Sequence, residues 1–138
     1  MDFTTANKNV NLQIAREYKS LLKLSYQALN ESDKVLIRKA LDIAIDAHSD
    51  QIRKSGKAYI FHPISVAKIV ASKIGLDAPS IASALLHDVV EDTRYSINKI
   101  DEIFGQEIAK IVDGLTKISK LKRRRYYQYK LRILEKCF

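Results

Sequence analysis

The chain has 138 residues, 46% of them apolar and 29% charged, the size of a single domain with a real core. No apolar run approaches the roughly 20 residues of a membrane span, and the start Met1-Asp2-Phe3-Thr4-Thr5 lacks the basic and apolar regions of a signal peptide. Cys137 alone cannot form an internal disulfide, so the expected location is the cytoplasm.

The net charge of +8 resembles a nucleic-acid signal until it is located. From Lys117 onward there are nine basic residues and one acid, Glu135, and the first 116 residues carry fifteen of each sign. The basicity belongs to a tail, and nucleic acid is not the expected partner of the domain.

In chain order, Asn9 to Leu29 reads as an amphipathic helix with Leu12, Leu22, Tyr26 and Leu29 among its apolar positions. Asn30-Glu31-Ser32-Asp33 breaks it and offers an N-cap. A second helix from Lys34 to His48 is expected to bury Val35, Leu36, Ala40, Leu41, Ala44 and Ala47. Gln51 to Lys57 follows as a polar loop in which Arg53, Lys54 and Lys57 could hold an anion, although the same composition fits an ordinary solvated loop.

Pro63 predicts the first position of a third helix, with His62 just outside it in the extended conformation proline favours in its predecessor. Ile64, Val66, Ala67, Val70 and Ile74 supply that helix's apolar surface, and Gly75 ends it. Asp77 caps a fourth helix with Pro79 in its first turn. This helix is nearly all small or apolar from Ile81 to Leu86, which predicts the buried centre of the fold. Ser96 caps a short fifth helix carrying Ile97, Ile100, Ile103 and Phe104, stopped by Gly105, and a sixth runs from Gln106 to Ile118 with Ile108, Ile111, Val112, Leu115 and Ile118 apolar. With no alternating strand of useful length, the predicted fold is all-α, a compact bundle of about six helices.

The fourth helix runs into His87-Asp88 and, three residues on, Glu91-Asp92. If the helix continues, His87 stacks on Glu91 and Asp88 on Asp92. Carboxylates crowded at a helix C-terminus repel one another and oppose the macrodipole, and a cation would relieve both effects. An imidazole beside a carboxylate is a mixed N/O donor set suited to first-row metals rather than to a thiolate zinc site. A core histidine beside a solvated acidic helix end fits the same residues.

Ala47-His48, Arg53-Lys54-Ser55-Gly56, Tyr59-Ile60, His62-Pro63, the run Ala84 to Thr93, Phe104-Gly105 and Val112 to Lys117 resemble, in order and spacing, the N-terminal HD-type hydrolase domain of the RelA/SpoT homologues. The resemblance covers about Ala40 to Lys120. It implies removal of the 3′-pyrophosphate from the guanosine tetra- and pentaphosphates ppGpp and pppGpp of the stringent response, with Mn2+ as cofactor. By the same resemblance His62, His87 and Asp88 are metal ligands, Glu91 and Asp92 serve the hydrolytic water, and Arg53, Lys54 and Ser55 hold the nucleotide.

Past Lys120 the sequence departs from the family, whose domain continues to a later Asp that supplies a fourth protein ligand. Residues 1–120 are therefore read as an incomplete hydrolase domain and residues 121–138 as a basic tail. The final stretch from Lys130 to Phe138 can be back-translated so that a shifted frame reads Gln-Ala-Glu-Asn-Phe-Arg-Lys-Met-Leu, the segment the family has there. The expectation is a frameshifted, shortened hydrolase with weak or no activity, in which a homo-oligomer could in principle supply the missing wall of the pocket. A non-catalytic guanine-nucleotide-binding module and a tail that binds nucleic acid are the rival readings.

Overall fold

A buried, small-residue helix organises the bundle. The computed structural model describes residues 3–137, with the side chains of residues 3–7, Asp92 and Cys137 outside that description. The elements are α1 (Phe3–Leu24), α2 (Glu31–Ala47), α3 (Phe61–Lys68) continuing as a π-helical turn (Ile69–Ile74), α4 (Ala78–Leu86), the single turn α5 (Val89–Asp92), α6 (Ile97–Phe104) and α7 (Gln106–Cys137). There is no strand among the described residues, and a lone bridge joins Ile52 to Ala58. The all-α prediction holds.

Helix α4 packs against α2, α3 and α7. Ala82 on α4 meets a core in which Ala40 and Ala44 of α2 and Ala67 of α3 are likewise fully buried, and such short side chains let helix axes approach closely. Ser83 is buried too, but its hydroxyl donates to the Pro79 carbonyl at 2.7 Å, so no polar group is stranded. Caps lie where the sequence places them. Asn30 and Asp33 form a reciprocal capping box at α2, the Asp77 carboxylate accepts from the Ser80 N–H, and Ser96 accepts from the Lys99 N–H.

Several expectations are corrected. Helix α1 ends at Leu24, so Tyr26 and Leu29 fall outside it, and its core contacts are Ile14 and Leu21 rather than the exposed Leu12. On α2, Val35 is 67% exposed and Ile37 is buried, because Ile37, Ala40, Leu41 and Ala44 form the tighter stripe at spacings of three and four. The third helix closes as a π turn that exposes Ile74 and buries Ala71, whose carbonyl accepts from the Tyr26 N–H at 2.9 Å. Gly75 does end it, at φ +76, where a Cβ would come within 3.3 Å of the Tyr26 ring.

The largest departure is α7, which runs without a break from Gln106 to Cys137 instead of ending at Ile118. No Gly or Pro follows Gly114, and Lys, Arg, Leu and Gln are good helix formers, so nothing local stops the helix. Residues 120–136 are all exposed.

Replacing Leu85 by Ala should destabilise the fold by about 2–5 kcal/mol in urea unfolding. Val35→Ala should change it by less than about 0.5 kcal/mol, the usual range for an exposed site.

Candidate metal centre

His62 lies in the first turn of α3, not before it. Helix α3 opens at Phe61, and Pro63 is tolerated there because first-turn N–H groups lack intrahelical acceptors in any case. The entry is tightened by the Phe61 and His62 N–H groups, which donate to the Ala58 and Tyr59 carbonyls. Nor does α4 continue through the acidic run. It ends at Leu86, His87 and Asp88 form a turn, and α5 restarts at Val89, so His87 and Asp88 stand at a helix break.

That break supplies the geometry. The His87 ring approaches its own helix, with Nδ1 2.6 Å from the Ala84 carbonyl oxygen. A carbonyl only accepts, so Nδ1 carries the proton and Nε2 presents the lone pair of the imidazole. Nε2 lies 3.0 Å from Asp88 Oδ2, and His62 Nε2 lies 3.7 Å from the same oxygen. The donor atoms of His62, His87 and Asp88 all fall within 4.8 Å of one another. An imidazole lone pair facing an ionised carboxylate at that distance needs a proton or a metal cation between them. Two imidazole nitrogens and one carboxylate oxygen match the N/O preference of a first-row divalent ion, so the donor set fits such an ion.

The electrostatics favour ligation. Burial pushes the Asp88 carboxyl up, but the hydrogen bond from Tyr59 and the close approach of the His87 and His62 imidazoles outweigh it and hold the group at about 2. His62 is shifted below the ordinary histidine value, first by burial and then by the charges of His87, Arg53 and His48, against the opposing pull of Asp88. A carboxylate that stays ionised and an imidazole that stays neutral are the protonation states a metal requires.

The sequence alone assigns Tyr59 no individual role. Its hydroxyl donates to Asp88 Oδ2 at 2.6 Å. Its ring stands 4.8 Å from that of the buried His48 and 5.7 Å from that of His62. The three-residue spacing of Tyr59 and His62 at a helix entry is the signal that could have revealed it.

Tyr59 also lines an open cavity of about 710 Å³ with Ile52, Arg53, Lys54, Ser55 and Lys57. The loop is shaped by the Gly56 N–H, which donates to the Arg53 carbonyl at 2.8 Å, with Gly56 at φ +87. Arg53, Lys54 and Ser55 are exposed on it. Tyr59 thus links the loop cavity to the His62, His87 and Asp88 cluster.

Glu91 is not brought into the cluster. It lies on α5 with its side chain 7% exposed, and its nearest charge is Arg123 on α7, with Nη1 2.5 Å from Oε1. The Asp92 side chain lies outside the described residues.

Residues 40–132 match the HD domain family. The chain is 51% identical over 82 residues to the guanosine-3′,5′-bis(diphosphate) 3′-pyrophosphohydrolase of Haemophilus influenzae, covering 59% of this chain and 12% of that protein. It is 41% identical over 107 residues to the bifunctional (p)ppGpp synthase/hydrolase SpoT of Escherichia coli, covering 78% of this chain and 15% of that one. A Mycobacterium leprae protein named "Probable GTP pyrophosphokinase" is 42% identical over 86 residues, 62% of this chain and 11% of its own length. The chain therefore spans only 11% to 15% of these relatives. Its His-Asp pair stands at the end of a buried helix within the matched stretch, and the chain belongs to the HD domain family.

Proposed function

We propose that this chain is a metal-dependent hydrolase domain that removes the 3′-pyrophosphate from ppGpp and pppGpp in the cytoplasm, with Mn2+ as its ion. The observation that carries the reading is the meeting of His62, His87 and Asp88 donor atoms beside a cavity walled by Arg53, Lys54 and Ser55. Relatives named for this reaction support it. Residues 1–120 carry the site, and residues 121–138 form the basic tail.

His62 and His87 present imidazole nitrogens to the ion, and Asp88 contributes the charge that offsets it. When bound, a divalent ion supplies Lewis acidity, drawing charge from a phosphoryl oxygen and making water a stronger acid. Tyr59 fixes the Asp88 carboxylate through its hydroxyl. Arg53 stacks on the guanine face, Lys54 pairs with phosphate as a compact charge, and the Ser55 hydroxyl donates to the nucleotide. Glu91 and Asp92 are the carboxylates that orient the attacking water and accept its proton. Water adds to the pyrophosphate phosphorus, the bond to the 3′ oxygen breaks, and that oxygen leaves as the nucleotide hydroxyl.

Purified chain with added Mn2+ should release pyrophosphate from ppGpp, and His87→Ala should reduce release to background. Equal release by the variant would overturn the ligand assignment. Nucleotide binding without release would make the chain a guanine-nucleotide-binding module instead.

Tyr59→Phe should weaken Mn2+ affinity by roughly 10- to 100-fold in calorimetric titration, the usual effect of losing a partner that orients a ligand. The pH dependence has a defined sign. The His62 value lies below 6.5, so Mn2+ affinity measured by titration should change little from pH 7.5 to 6.5 and fall as pH drops through the lowered value, where His62 gains its proton. A tenfold loss already between pH 7.5 and 6.5 would contradict it.

A further inference from the structure

The pairing of Glu91 with Arg123 joins the acidic run to the basic run of α7. Both Glu91 carboxylate oxygens are sealed from solvent and lack a hydrogen-bond partner among the described residues. Arg123 stands against one of them at 2.5 Å, a charge contact without aligned hydrogen-bond geometry. A sealed carboxylate with no counter-charge is strongly unfavourable, and a guanidinium keeps its charge at any physiological pH.

The register of α7 explains why this arginine, rather than its neighbours, meets Glu91 while its side chain stays 56% exposed. Ile108, Val112 and Thr116 are buried at successive spacings of four and face the body. Continuing that stripe by three and then four residues passes through the half-buried Ser119 to Arg123. Arg124 and Arg125 are carried round to other faces. Since α5 packs against α7, the guanidinium closes directly on Glu91.

We propose that Arg123 is a residue of the site and acts as a brake: it shuts the Glu91 carboxylate away from water, and hydrolysis requires the guanidinium to leave. The inference rests on the assignment of Glu91 to the hydrolytic water. It makes the tail a regulator of the reaction, because a displacement of α7 beyond Ser119 opens the acid that the reaction needs.

Carboxyl labelling of the full chain tests the closure without any turnover. With a water-soluble carbodiimide and glycine ethyl ester, read by fragment mass spectrometry, Glu91 should label slowly in the unaltered protein and several-fold faster in Arg123→Met. The methionine keeps an apolar stem of similar reach, so packing is retained while the charge is lost. Arg124→Met removes the same charge from an outward face and should leave Glu91 labelling unchanged. Equal Glu91 labelling in the unaltered chain and Arg123→Met, or equal acceleration in both variants, would overturn the closure.

Pyrophosphate release from ppGpp with Mn2+ tests the brake, and Arg123→Met should turn over several-fold faster than the unaltered chain. Faster labelling with unchanged or slower turnover would overturn the brake. Should neither protein release pyrophosphate, the hydrolase assignment fails and the brake with it, while the labelling still decides whether Arg123 closes Glu91.

Discussion

One carboxylate oxygen, Oδ2 of Asp88, is the point on which the site depends. It is approached by the Tyr59 hydroxyl at 2.6 Å, His87 Nε2 at 3.0 Å and His62 Nε2 at 3.7 Å. An ionised group taken out of water must recover its lost solvation from fixed partners. Those partners come from three stretches: the end of the 51–59 loop, the first turn of α3, and the break after α4. Any shift of these elements relative to one another removes a partner from a buried charge, so holding the charge and holding the geometry are the same requirement.

The bundle supplies that rigidity through a short helix that is buried from Ile81 to Leu86. Because Ala78, Ala82, Ser83 and Ala84 of α4 are small, α2, α3 and α7 can all lie against it. Its last residue therefore emerges at a fixed place between them. The chain then gives up helix at His87 and Asp88, where the imidazole of His87 reaches back to the Ala84 carbonyl. The break that ends α4 is thereby also the feature that sets the His87 tautomer.

Much of this was legible in the residues. Asn30, Asp77 and Ser96 announced helix starts because a side-chain oxygen followed by a helical pattern has one common use, and Gly75 and Gly105 announced ends for the complementary reason. The His87-Asp88 pair was legible because an imidazole and a carboxylate set into an apolar run are costly to bury unless a partner compensates them. What was not legible depends on long-range packing. Val35 and Ile37 are equally apolar, and only the approach of α4 decides between them. The π turn at Ile69–Ile74 has no composition of its own and follows from how α3 meets the 25–27 segment. The stop at His87 was hidden because the residues after it, Val89 to Asp92, are themselves helical.

The C-terminal helix shows the same limit from the other side. Composition marks residues 121–138 as different, a run of cations and tyrosines that looks like an appendage. A helix does not register composition, however; it carries the angular phase of its buried half into whatever follows. The phase set by Ile108, Val112 and Thr116 selects which cation of the run faces the body, and the one selected meets the buried acid of α5. The charge excess from Lys117 onward and the neutrality of the residues before it are thus joined at a single pair. Which arginine makes that pair was decided by core residues seven or more positions upstream, not by anything local to the tail.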